Sequence, residues 1–456
     1  MSSHPTLPLS HRSRRRTVLC GAVAAMVVLS VPGTADAHNA LESSSPSPDE
    51  VVAASPPTWT LDFTSPVPLE SASGEVVLAD GSRLDLDAPV HGASDRSIVF
   101  TLPAALAGSV TARWRLVGTD GHVISGRVPF TVGQSPAVVQ PTATSLPVEP
   151  DASAESGDAG STQREALRVA LRIAGYLALL AVGGVLFAEF YVAQGTTTLM
   201  RARMALRWGA VGLAIVPLGQ LLLLAADLRG TSVGASTSGL ADALDTTAGV
   251  SLALRIVIGL ALAALLTARL RRSRDSGSLG ALISAVCAAY LVAMVMVGHS
   301  RSMPLPWLGV PLGAVHGAAA AVWLGGLVVL VTIIVPNVTS AQSMTAFHRF
   351  SWAAQSAVAA LVATGVGQAL RIHGLPDSVL GSAHGRLLLA KVALVGAMVV
   401  LGAANRRRLA QRVDSGAAQT ATRRRIVASS LVEGALGLIV VAVTSVLADA
   451  SPDADR

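Results

Sequence analysis

Only two cysteines occur in 456 residues, Cys20 near the N-terminus and Cys287 inside an apolar run, so no disulfide framework is available. An exported domain in this chain must hold itself by its core or by metal. Charge is scarce too: 14% of residues are charged against 51% hydrophobic, a balance too apolar for an ordinary soluble protein. Most of the chain is therefore expected in a membrane. Lysine is almost missing, Lys391 being the only one, so the net charge of +6 rests on arginine. The arginines fall in short clusters between apolar runs, which is the positive-inside pattern and not that of a nucleic-acid binder. No nucleic-acid partner is expected.

What is present begins with a targeting segment. Residues 1–37 hold a basic region (Arg12 to Arg16), an apolar run (Val18 to Val31) and the cleavage pattern Ala35-Asp36-Ala37, which together read as a signal peptide. Ser13-Arg14-Arg15-Arg16-Thr17-Val18-Leu19 resembles a twin-arginine signal, although arginine pairs also occur in ordinary signals. Cleavage after Ala37 makes His38 the first residue of the mature chain, whereas an uncleaved anchor helix would keep it internal.

Residues 38–133 change character. Thr58-Trp59-Thr60-Leu61-Asp62-Phe63, Gly74-Glu75-Val76-Val77-Leu78 and Ser109 to Leu116 alternate with a period of two between turn signals, which predicts a small antiparallel sandwich or barrel. Asp80-Gly81 reads as a hairpin turn, and Val128 to Val132 as a closing strand that Pro129 assigns to an edge. Asp120 and His122 stand two apart beside Gly121, a metal-ligand spacing. A terminal His38 adds an amine and a ring nitrogen, so His38, Asp120 and His122 form an N/O set suited to Cu(II).

From Gln134 to about residue 163 the chain is rich in Pro, Ser, Ala, Thr and acidic residues, a flexible linker. The membrane domain is expected over 164–449, with an acidic tail at 450–456. Eight spans are expected, at roughly 166–193, 205–228, 247–268, 279–298, 309–335, 351–371, 385–404 and 426–448. The arginine-rich loops then alternate to one side, which predicts a multi-pass plasma-membrane protein with its N-terminal domain and C-terminus extracytoplasmic.

With that topology His299, His316, His373 and His384 fall at the outer ends of spans four to seven. Neutral imidazole is a good copper ligand. Met296, His299 and Met303 share one helical face if that helix continues, and thioether with imidazole suits Cu(I). Methionines filling gaps in a bundle are the plainer reading of the same residues. Glu189, Arg255, Lys391 and Glu433 are ionisable residues inside spans, and Lys391 and Glu433 sit on adjacent spans where they could pair.

These residues carry a resemblance. Ala40-Leu41-Glu42-Ser43-Ser44-Ser45-Pro46, Leu61-Asp62-Phe63-Thr64-Ser65-Pro66-Val67, Asp80-Gly81, and Trp114-Arg115 leading into Asp120-Gly121-His122-Val123-Ile124-Ser125-Gly126 are similar to the CopC copper-binding domain. The resemblance implies Cu(II) ligation by His38, Asp120 and His122. No methionine occurs between His38 and Gly133, so the Met-rich Cu(I) site of some CopC proteins is not expected here.

The membrane half resembles the copper resistance D family, CopD, in Gly298-His299, His316, Trp323-Leu324-Gly325-Gly326-Leu327, Phe347 to Ser351, Ala363-Thr364-Gly365, Gly385 to Lys391, Ala404-Asn405-Arg406 and Glu433. His384 stands where that family often has Tyr before Gly-Arg. A CopC-like domain joined to a CopD-like one resembles the YcnJ-like copper-uptake fusions.

The fold class expected is thus multidomain: an all-β, Ig/cupredoxin-like sandwich or barrel followed by an all-α bundle of about eight transmembrane helices. The expected function is copper capture outside the cell and transfer into or across the plasma membrane. It is a non-enzymatic role with copper and membrane lipid as partners and a cytoplasmic acceptor as a further one. The Cu(II) site disfavours Cu(I), so transfer requires reduction or ligand exchange. The alternative is a membrane haem b or copper-linked oxidoreductase, with His299 and His316 as haem ligands.

Overall fold

A computed structural model describes residues 41–64, 66–118, 123–133, 152–229, 239–271, 277–296, 305–373, 383–410 and 416–448. Within 41–133 nine strands form two sheets: β1 (Leu41–Ser45), β3 (Thr58–Phe63), β7 (Ser97–Thr101) and β6 (Val90–His91) in one, and β2 (Val51–Val52), β9 (Val123–Val132), β8 (Gly108–Val117), β4 (Ser73–Leu78) and β5 (Arg83–Asp85) in the other. Alternation turns Trp59, Leu61 and Phe63 of β3 inward against Val110, Ala112, Trp114 and Leu116 of β8. Trp59 stacks on Phe100 with ring centroids 5.4 Å apart, and Phe63 meets Trp114 edge-on at 5.0 Å. This is the expected sandwich, with its own core.

Asp80-Gly81 does make the β4–β5 turn: Gly81 takes a φ of 82°, and its N–H donates to Leu78 O at 2.9 Å. Pro129 needs a finer statement. β9 is not an edge, since β8 lies on one side and the short β2 pairs with Thr131 and Val132 on the other. Yet the Pro129 carbonyl accepts from Asp49 N on the β2 side, so the missing N–H also faces that nearly open side and costs the β8 ladder nothing.

Eight helices are long and apolar enough to cross a membrane, spanning Gln163–Val192, Met200–Arg229, Thr247–Arg271, Ser278–Val295, Trp307–Asn337, Ser340–Arg371, His384–Leu409 and Ala421–Leu447. They belong to α1 (Ala152–Phe187), α2 (Met200–Arg229), α4 (Thr247–Arg271), α5 (Gly277–Val295), α6 (Pro306–Ala320), α7 (Ser340–His373), α8 (Ala383–Ala410) and α9 (Gly416–Leu447), with the short α3 (Leu240–Leu244) between α2 and α4. α1 begins inside the stretch read from sequence as linker. α7 begins well before the apolar run that marked its span. The cause is a capping box, in which Gln342 Oε1 accepts from Thr339 N at 3.0 Å while Gln342 N donates to Thr339 Oγ1 at 3.3 Å.

α6 is continued by a π turn at Ala321–Gly325, an α-helical Gly326–Val329, a second π turn at Leu330–Ile334 and a 3-10 turn at Val335–Asn337. The first π turn meets α1 at glycine: a Cβ built on Gly184 would lie 2.4 Å from the Gly325 carbonyl carbon. Backbones thus touch where any side chain would separate them.

Prolines inside helices leave carbonyls that other elements must satisfy. Pro217 cannot bond Leu213 O, and the Tyr290 hydroxyl donates to it instead at 3.0 Å. In the second π turn that continues α6, Thr332 O accepts from Arg201 Nη1 at 3.3 Å. Glu189 accepts from Gly195 N and Thr197 N, so this intramembrane acid of the sequence reading caps a turn.

Gly184→Ala is expected to cost about 1–3 kcal/mol by overpacking. The purified protein should melt several degrees lower, while Gly396→Ala, which meets nothing within 4 Å, should not.

Candidate metal-handling site

The sandwich places the Asp-Gly-His motif by register. Val117 pairs with Val123, so the motif falls on the hairpin connection between β8 and β9. Trp114 pairs with Gly126 four residues after His122, and a Cβ on Gly126 would come within 2.8 Å of the indole. The motif's terminal glycine is therefore required by the buried Trp114 rather than by the turn. His38, Asp120 and His122 themselves lie outside the described residues, as do His299 and Met303. Met296 is the last described residue before that second gap. It follows the end of α5 at Val295, and the shared helical face expected of Met296, His299 and Met303 falls on residues outside those described.

His316 lies ten residues into α6, about 15 Å along the helix from its start, deeper than the span end expected from sequence. Its Nδ1 is 2.9 Å from Thr364 Oγ1 on α7. The Thr364 hydroxyl has one proton, and Ala360 O at 2.6 Å takes it. His316 Nδ1–H must then be the donor to Thr364, which leaves Nε2 with a free lone pair. A hydrogen bond that fixes one ring nitrogen and frees the other is the arrangement of metal-ligating histidines. Lys391 of α8 is within electrostatic reach of the ring. His384, the second residue of α8, is 4% exposed and buried as an interior residue. Among the described residues no three of His, Cys, Asp and Glu gather as a metal-binding group.

Lys391 and Glu433 do not pair. Glu433 sits beside Gly402, whose built Cβ would be 3.4 Å from Glu433 Oε1, and Gly402 is eleven residues, about 16 Å, along α8 from Lys391. Glu433 instead lies within reach of the Trp323 indole, in the first π turn of α6. The π turn at which α1 and α6 touch thus also holds Trp323, near the one carboxylate of α9. Thr364 and the approach of Trp323 to Glu433 carried no assigned role in the sequence reading. Polar residues inside apolar spans were their signal, and partners on distant helices could not be read from spacing.

Comparison with known proteins matches two stretches of the chain to family models. Residues 41–133 match the family model described as CopC domain, and residues 344–447 that described as Copper resistance protein D. Matches to both family models thus occur in one chain. The chain is 25% identical over 387 residues to the Copper transport protein CutJ of Bacillus subtilis (strain 168), covering 82% of this chain and 68% of that one. It is 36% identical over 141 residues to the Inner membrane protein YebZ of Escherichia coli (strain K12), covering 30% of this chain and about half, 48%, of YebZ. CopC from Methylosinus trichosporium OB3b is 29% identical, covering 21% of this chain and 93% of that structure, with a TM-score of 0.20. PcoC, a methionine-rich copper resistance protein from Escherichia coli, is 30% identical, covering 21% of this chain and 99% of that structure, with a TM-score of 0.19.

The CopD match takes in Thr364, His384, Lys391 and Glu433, and stops short of their α6 partners His316 and Trp323. α6 thus meets two of those side chains, Thr364 and Glu433, from outside the matched residues.

Thr364→Val should leave the His316 Nδ1–H without its acceptor at a cost of about 1–3 kcal/mol. In 15N-histidine spectra His316 should hold the Nδ1–H tautomer in the unaltered protein and in Thr364→Ser, and lose that preference in Thr364→Val.

Proposed function

We propose that this protein captures copper outside the cell and transfers it into or across the plasma membrane. The carrying observation is the union in one chain of a CopC domain and a CopD-containing eight-helix bundle, aligned over 82% of its length with a protein named for copper transport. In this reading the signal peptide is removed after Ala37. His38 then binds Cu(II) through its amine and ring, with Asp120 and His122 completing an N/O set. The CopC domain stands outside, and eight spans return the C-terminus to the same side.

The membrane path runs through His299 and His316, with Met296, Met303 and His384 beside it. Support for His316 comes from its free Nε2 and its depth in α6. The ion is cargo here, and each residue of the path holds it only in passing. No covalent chemistry on a substrate is proposed.

The sandwich has its own buried core, so residues 38–133 can be titrated alone. Cu(II) affinity should fall by about 100-fold, roughly 2.7 kcal/mol, when one residue is added before His38, because the terminal amine chelate is lost. Affinity unchanged by that extension would sink the assignment of His38. Binding should also weaken as pH falls, since the amine and imidazole ligands must shed protons to bind.

A further inference from the structure

The sandwich does not stand clear of the bundle. Val117 and Val123, the paired residues on either side of the copper-motif connection, belong to one apolar cluster with Leu221, Leu224, Ala225 and Leu228 of α2. Ala243 of α3 and Ala248 of α4 complete it. None of these residues belongs to the sandwich's own core, so this apolar surface is separate from what folds the domain. Beside the cluster Arg115 Nη1 donates to Leu228 O at 3.1 Å. That carbonyl is in the last turn of α2, where the helix has no donor for it and its dipole favours a cation.

One residue further back Asp227 is 7% exposed and holds two arginines of α1, Arg164 at 3.3 Å and Arg168 at 2.5 Å. Burial lowers the Arg115 pKa from its ordinary value, and the Asp227 carboxylate opposes that shift. Apolar contact, a helix-end hydrogen bond and charge therefore converge on one corner.

We infer that the ends of α2, α3 and α4 nearest the sandwich form a receptor for the facing ends of β8 and β9, at Arg115, Val117 and Val123, so the sandwich works from one seated position. This seat lies wholly outside the residues that match CopD. It gives the first spans of the bundle a task that the CopD helices do not have. The interface need not be strong. A tether of this length gives an effective concentration on the order of 1 mM, so an intrinsic Kd of about 0.1 mM already leaves the domain seated about nine-tenths of the time. Docking stands on the contacts alone. That the seat holds the copper loop rests on the proposed function, because His122 directly precedes Val123 and Asp120 is three residues from each valine. Seating therefore fixes where captured copper is released.

The test uses the full-length, copper-free chain with Cys20→Ser and Cys287→Ser, and with a protease site inserted within residues 134–151. Val123→Cys is paired with Leu240→Cys or Leu228→Cys, and a control pairs Asp80→Cys, at the opposite end of the sandwich, with the same partners. After treatment with a short bismaleimide and proteolysis, the two halves remain joined on a denaturing gel only where a cross-link has formed. The Val123 pairs should cross-link at least tenfold more than the Asp80 pairs. Arg115→Ala with Val117→Asp should erase that excess while Cu(II) titration still reports an intact sandwich. Equal yields from the two ends would overturn the seat and leave the copper assignment standing. A seat that cross-links in a chain that binds no Cu(II) would instead overturn the copper assignment alone.

Discussion

Lipid offers helices little reward for hiding one apolar face against another, so this bundle depends on how closely its backbones can approach. The contact on which most else rests is the crossing of α1 and α6 at Gly184 and Gly325. It falls where α6 widens into a π turn at Ala321–Gly325, and neither glycine leaves room for a Cβ. That turn carries both Gly325, in backbone contact with α1, and Trp323, which lies within reach of Glu433 on α9. Earlier in α6 the His316 ring bonds Thr364 of α7. Backbone accounting follows the same logic elsewhere. Pro217 leaves Leu213 O bare inside α2, and the Tyr290 hydroxyl arrives from another helix to cover it.

The molecule divides its labour along the chain. The sandwich is held by its own aromatic core and meets the bundle at Val117 and Val123, the ends of two paired strands. Arg115 of the sandwich donates to Leu228 O at the end of α2, next to Asp227 and the two α1 arginines that Asp227 holds. α6 and the last three helices carry polar side chains inside the bundle. In this account copper meets a site built for Cu(II) at the seam and a freed imidazole nitrogen about 15 Å along α6.

Much of the architecture was legible in the sequence because it rests on period and length. Alternation in Thr58 to Phe63 turned Trp59, Leu61 and Phe63 inward as read, and the span centres fell where apolar runs were long enough. The start of α7 was missed because a capping box, not hydropathy, sets it. Pairing of Lys391 with Glu433 was misjudged because adjacency of two spans says nothing about depth along them. His316 stood out as a polar residue among small ones, but the tautomer that leaves its Nε2 lone pair free depends on Thr364, 48 residues away. The seating of the hairpin was invisible for the same reason: Arg115 and Leu228 are 113 residues apart, and no local pattern links a strand arginine to a helix-end carbonyl.

The central claim is that copper passes from the sandwich into the membrane domain through His316. Its most direct test is copper accumulation in proteoliposomes holding the purified full-length protein with copper supplied on the sandwich side. The account predicts accumulation well above protein-free vesicles, lost in His316→Ala although that variant still binds Cu(II) with unchanged affinity. Accumulation by His316→Ala at the rate of the unaltered protein would contradict it.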